Sequence, residues 1–167
     1  MARVLFVQNQ VSAYPGVYSL CGMLRSRGHA YRVVVDRAEA RTRRHIQDFR
    51  PDFVAFPCLT GLHRLVLQSA RAVKQAFPGC RTLVGGIHPT LFRDFIHNDP
   101  IDFVCRGEGE ETLAELLDVW ESGAGDFGRV RGISWKGTGG VVHNEMRTLI
   151  DPLDELPFPD YTVYRHI

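Results

Sequence analysis

Five short, unbroken apolar runs set the limits on what this chain can fold into. They are Arg3 to Gln8, Tyr31 to Asp36, Asp52 to Phe56, Thr82 to Gly85 and Phe103 to Cys105. Each is strand-sized, and none alternates apolar with polar, so each reads as a strand covered on both faces. Helical spacing fills the gaps. Val17, Leu20, Cys21 and Leu24 make one stripe that stops at Gly28, and Ala38 to Phe49 makes a second helix. Leu62, Leu65, Val66, Ser69, Ala70, Val73 and Phe77 make a third stripe, ended by Pro78-Gly79. Thr90 to His97 reads as a short helix, and Thr112 to Glu121 as one presenting Leu113, Leu116, Leu117 and Trp120. A repeated β-α period with right-handed crossovers predicts an α/β fold. The expected form is a flavodoxin-like, doubly wound, five-stranded parallel sheet of order 2-1-3-4-5, spanning residues 1–122.

The character changes after Ser122. Gly132 to Lys136, the glycine turn 137–140 and Val141 to Glu145 predict a β-hairpin, set as an appendage over residues 123–148. Residues 149–167 carry three prolines in eight positions (Pro152, Pro157, Pro159) and predict an extended connector toward a further domain.

With 20 Lys+Arg against 19 Asp+Glu, the chain has no electrostatic footprint for nucleic acid or an anionic membrane. The apolar runs are far too short to span a bilayer, and Met1-Ala2-Arg3 leads directly into a strand, so a cytoplasmic protein is expected. Cys21, Cys58, Cys80 and Cys105 show neither C-x-x-C nor C-x-x-x-C-x-x-C spacing and read as free thiols rather than metal or cluster ligands. The Arg41-Thr42-Arg43-Arg44-His45 run reads as a solvated helix face.

In this strand order the loops after the first, third and fourth strands leave neighbouring carboxyl ends and converge on one crevice. They are Asn9 to Gly16, Pro57 to Gly61 and Gly85 to Thr90. Gly85-Gly86 lets a large ligand approach the main chain, and a second glycine turn at Gly107-Glu108-Gly109 follows the fifth strand. Glu110 and Glu111 suit a helix start, which leaves Glu108 as the carboxylate open to a ligand. His88, followed by Pro89 and with no second ligand at metal spacing, reads as a packing or hydrogen-bonding residue. Several familiar ligands of such sheets do not fit. A phosphoacceptor needs acidic residues where Gln8-Asn9 and Pro57-Cys58 stand, V-S-A-Y-P-G is a poor flavin-phosphate loop, and no G-x-G-x-x-G opens the first helix.

Taken together, P-D-F-V-A-F-P-C-L-T, V-G-G-I-H-P-T, D-F-V-C-R-G-E-G-E-E-T, the Trp135 hairpin and L-D-E-L-P-F-P-D-Y resemble the N-terminal cobalamin-binding domain of cobalamin-dependent radical SAM enzymes. That group contains the anaerobic magnesium-protoporphyrin ester cyclase and many methyltransferases, and the likeness covers nearly the whole chain. It implies cobalamin held by Asn9, Val11, Ser12, Ala13, Tyr14, Gly16, Pro57, Cys58, Leu59, Thr60, Gly85, Gly86, Ile87, His88, Pro89, Gly107 and Glu108.

Classical cobalamin domains, by contrast, carry D-x-H-x-x-G after the first strand, its histidine serving as the lower cobalt ligand; its loss is common in the radical SAM group. Here Val11 stands for the Asp and Ala13 for the His, which implies base-off, His-off cobalamin with Val11 to Tyr14 covering the lower face. Pro57-Cys58-Leu59 replaces S-x-L, and Gly85-Gly86 keeps the family's glycine pair. The resemblance further implies a downstream radical SAM domain, in cis or in trans, holding S-adenosylmethionine and an iron-sulfur cluster and acting on a small molecule. The cluster's cysteine motif is absent here, so this chain by itself is expected to bind the corrinoid without catalysing. A sheet domain used for protein contact or small-ligand sensing, without corrinoid, is the competing reading.

Overall fold

Each apolar run becomes a strand of one sheet in the computed structural model of the protein, which describes residues 1–10, 14–36 and 39–164. The strands are β1 (Arg3–Gln8), β2 (Ala30–Val35), β3 (Phe53–Pro57), β4 (Arg81–Gly85), β5 (Phe103–Cys105), β6 (Ile133–Gly137) and β7 (Gly140–His143). Between them lie α1 (Pro15–Ser26), α2 (Ala40–Phe49), α3 (His63–Ala76), α4 (Ile87–Leu91) and α5 (Glu110–Ser122). The order is β2-β1-β3-β4-β5-β6-β7, with the first five strands parallel.

The sheet therefore has seven strands where the sequence reading expects five. The hairpin is no separate appendage. β6 pairs antiparallel with β5 through Phe103↔Trp135 and Cys105↔Ile133, and β7 continues the ladder. Pairing satisfies the β5 edge, whose N–H and C=O groups would otherwise stand open.

Strand alternation divides the core in two. Phe6, Ala55, Leu83 and Phe103 are cross-strand neighbours and face α1 and α5, where they meet Val17, Cys21, Leu24, Leu113, Leu116 and Leu117. Leu5, Val54, Val84 and Val104 face the other way, onto Ile46 and Phe49 of α2 and Val66, Ala70 and Val73 of α3. Each large side chain so buried contributes about 1.5–3 kcal/mol. Leu65, placed on the α3 stripe by spacing, is 47% exposed because that helix buries only the narrower Val66-Ala70-Val73 line.

Two aspartates that precede strands hold the opposite end of the sheet. Asp52 accepts from the Arg3 N–H at 2.8 Å, and Asp102 from the Thr82 N–H at 2.8 Å, while Lys74 Nζ approaches Asp102 at 2.9 Å. The aspartates of the P-D-F-V and I-D-F-V motifs thus tie strand starts together, far from the carboxyl ends.

The expected helix over 90–97 is broken in two. α4 ends at Phe92 (φ −118°, ψ 74°), and a 3-10 turn covers Arg93–His97. The break lets His88 and Pro89 of the first piece and Phe95 and Ile96 of the second all be buried. The proline-rich tail also departs from a free connector. Its Asp160 N–H donates to Tyr18 O at 2.9 Å, its carboxylate accepts from Tyr31 Oη at 2.6 Å, and Tyr161 and Tyr164 pack on the Tyr18 ring. The Phe158 carbonyl lies so close over Gly22 of α1 that a side chain there would collide with it. Among the described residues no helix is long and apolar enough to cross a membrane.

Candidate functional site

At the carboxyl ends of β1, β3, β4 and β5 the sheet opens into a cleft of about 390 Å³, within the roughly 300–1,000 Å³ of small-molecule sites. Its floor is the row Phe6, Ala55 and Leu83, and its walls are Val17 and Leu20 of α1 and Leu113 of α5. The cleft exists because small residues stand where the pattern calls for large ones. Ala55 occupies the middle of the floor. Gly85, two residues past Leu83 and therefore on the same face, leaves the next position open beside Pro57, its register partner.

Hydrogen bonds knit the loops around the mouth. Cys58 N donates to Gly85 O at 2.8 Å and His88 N to Cys58 O at 3.2 Å, while Thr90 Oγ1 donates to Gly86 O at 2.8 Å. The Gly107 N–H in turn donates to Thr90 Oγ1 at 2.9 Å. Thr90 therefore couples the turn after β4 to the turn after β5. Gly86 sits at φ 107°, ψ −171°, a conformation essentially confined to glycine, and a Cβ there would stand 2.9 Å from Cys58 O. These hydrogen bonds tie the rim together through its backbone.

Cleft electrostatics are muted. Burial pushes the Cys58 thiol up to about 12. Burial, reinforced by the Glu110 charge, does the same to Cys105, also to about 12. Both stay protonated near neutrality, so neither offers a thiolate nucleophile or metal ligand. Glu108 lines the mouth but spends one oxygen on the Ile150 N–H at 2.6 Å, which fastens the tail beside the cleft. Arg147 holds the same segment to α5 through Glu111 at 3.1 Å and through Glu115.

Of the residues singled out from sequence, Tyr14, Gly16, Pro57, Cys58, Leu59, Gly85, Gly86, Gly107 and Glu108 converge on this cleft. Val11, Ser12 and Ala13 lie outside the described residues. The others flank the cleft without lining it. Asn9 is buried, with its amide donating to Ser69 Oγ at 3.2 Å; Ile87 is half-exposed; Pro89 is buried in α4. His88 stacks on His63 with ring centroids 4.6 Å apart, and its Nδ1 lies 3.4 Å from Thr60 Oγ1. Burial and the neighbouring His63 hold His88 below the ordinary imidazole range, so it is a neutral supporting residue. Sequence reasoning missed the walls, namely Val17, Leu20, Cys105 and Leu113, because each looks like ordinary core in its own element.

A family model described as the B12 binding domain matches residues 10–117. The chain is 30% identical over 152 residues to an uncharacterized methyltransferase of Pyrococcus horikoshii, covering 87% of this chain and 33% of that protein. It is 26% identical over 155 residues to the anaerobic magnesium-protoporphyrin IX monomethyl ester cyclase of Cereibacter sphaeroides, covering 86% and 25%. The chain thus spans about a third or less of the length of these curated relatives. Among solved structures, the fold resembles that of the cobalamin-dependent S-adenosylmethionine radical enzyme OxsB with aqua-cobalamin bound. The TM-score is 0.83 at 20% identity, covering 96% of this chain and 24% of that one.

Proposed function

The chain belongs to the B12-binding domain family, and we propose that it holds cobalamin base-off and His-off, as the corrinoid module of a radical SAM enzyme of the methyltransferase or cyclase kind. The observation that carries this is the cleft itself. It is a slot of about 390 Å³ floored by Ala55 and opening past Gly85, deep enough for a nucleotide-like arm yet too small for a whole corrinoid. The corrin would lie over the rim formed by Pro57, Cys58, Leu59, Gly86, Gly107 and Glu108, with its nucleotide arm inserted along Leu20 and Leu113. Asn9, Thr60, Ile87, His88 and Pro89 would support that rim from behind.

Residues 9–16 contain no histidine, and His88 is taken up by His63 and Thr60, so the lower face of the corrin would meet Val11 to Tyr14 without an imidazole donor. When bound, cobalamin supplies a cobalt that takes up and gives up a one-carbon group. This chain's own part is to exclude water with Phe6, Leu20, Leu83 and Leu113 and to present the rim backbone, with one oxygen of the Glu108 carboxylate taken up by the Ile150 N–H. S-adenosylmethionine, the iron-sulfur cluster and the small-molecule substrate would belong to a radical SAM domain, in cis or in trans, in the cytoplasm. What supports the S-adenosylmethionine part of this reading is the name of OxsB, a cobalamin-dependent S-adenosylmethionine radical enzyme.

Reconstitution with cob(II)alamin under anaerobic conditions, followed by electron paramagnetic resonance, tests the lower face. The expected spectrum lacks nitrogen superhyperfine splitting on cobalt; its presence would refute the base-off, His-off assignment. Failure to retain any corrinoid would instead favour a domain used for protein contact or small-ligand sensing.

A further inference from the structure

On the face of the sheet opposite the cleft, Asp94, His97 and His143 bring one carboxylate oxygen and two imidazole nitrogens within 4.8 Å of one another. Three separate features of the fold produce this. Asp94 and His97 share the 3-10 turn Arg93–His97, and in a helix of three residues per turn side chains three apart lie one above the other. His143 ends β7 and pairs across the ladder with Ser134. Ser134 is fully buried, and its Oγ lies 2.8 Å from His143 Nδ1. That contact fixes the ring and, with Nδ1–H as donor, leaves the Nε2 lone pair for another partner. An oxygen held behind the ring in this way orients the imidazole in most histidine-metal sites.

We propose that Asp94, His97 and His143 form a binding site for a divalent transition-metal ion, zinc above all. Two imidazoles and one carboxylate are a donor set suited to zinc, and three protein ligands leave a position for water. With bonds of about 2.1 Å, neighbouring donors on a tetrahedral ion stand roughly 3.4 Å apart. The required closure is on the order of 1 Å, and Asp94 and His97, both exposed, have the freedom to make it. The Arg93 guanidinium lies 3.8 Å from Asp94, but both partners are largely exposed, so the ion would displace a weak surface pair. An ion here clips the β4–β5 connection to the outermost strand of the sheet. The site is independent of the corrinoid reading, since none of its ligands borders the cleft.

Calorimetric titration of the tag-free chain with zinc alone tests this. One equivalent is expected to bind in the micromolar range, with a matching rise in Tm. His97→Gln changes an exposed side chain and should unfold like the wild type without zinc, yet bind zinc at least tenfold more weakly and lose the zinc-dependent Tm rise. His143→Gln should do the same. Absence of binding, or binding of undiminished affinity in His97→Gln, would overturn the proposal.

Discussion

Gly85 and Gly86 are adjacent, but glycine is needed at each for a different physical reason, and substitutions should separate those reasons. At Gly85 a Cβ would sit 3.5 Å from Cys105 Cβ, an ordinary contact, and the backbone is not left-handed. Gly85→Leu is therefore expected to fold, with a stability change within about 1 kcal/mol, because strand propensity gained at a former glycine offsets local repacking. Its isobutyl group, however, points to the cleft side, beside Ala55 and above Leu83, where the nucleotide-like arm would enter. At Gly86 even a methyl group must adopt a glycine-only conformation and approach the Cys58 carbonyl to 2.9 Å. Gly86→Ala should cost about 1–3 kcal/mol, which for a chain of this size is a Tm drop of roughly 2–12 °C. The assay is paired: thermal unfolding of the apo chains, and cobalamin retained after anaerobic gel filtration. Gly85→Leu should keep its Tm and lose the cofactor, whereas Gly86→Ala should lose Tm in the apo state. Full cobalamin retention by a well-folded Gly85→Leu would refute the placement of the arm, and an unchanged Tm for Gly86→Ala would refute the strain argument.

Two further expectations concern the tail. Gly22→Ala should gain about 0.5–1 kcal/mol of helix propensity in α1 while its methyl displaces the Phe158 carbonyl, so hydrogen exchange over 158–164 should accelerate without a fall in Tm; unchanged protection would count against the tail docking. Burial raises the Asp160 carboxyl, but hydrogen bonds from Thr162 and Tyr31, together with Arg25, more than reverse this and hold it below the ordinary carboxylate range. A depressed folded-state pKa stabilises above the unfolded value of about 3.9 and ceases to do so as pH falls through the folded one. The Tm gap between wild type and Asp160→Asn should therefore stay constant from pH 8 to pH 5 and narrow below about pH 4, and a gap indifferent to acid would exclude the carboxylate as the anchor.

What could be read from sequence follows from how local each cause is. The five parallel strands are legible because a strand covered on both faces must be apolar throughout, and Phe103–Cys105 appears in the structure as read. The mouth of the cleft is legible because Gly85-Gly86 and Gly107 follow strands directly. The hairpin is visible as a hairpin, but its pairing with β5 through Phe103↔Trp135 is non-local and leaves no trace in the spacing. Helical spacing puts Leu65 on the α3 stripe, but the face that α3 buries is narrower and excludes it. The tail's prolines indicate extension but not the Tyr31–Asp160 bond that docks it. Cys105, Leu20 and Leu113 are cleft walls only because Ala55 and Gly85 leave space opposite them, a relation between distant residues. The Asp94-His97-His143 grouping is equally invisible, joining a turn to a strand far along the chain.

Because β6 runs against its neighbours, the loop joining it to β7 emerges at the end of the sheet where the parallel strands begin. Thr138 and Gly139, both exposed at that tip, lie at the pole farthest from the cleft. A fluorophore or guest protein grafted there would leave the cofactor berth undisturbed, giving this fold a handle for watching corrinoid loading from a distance.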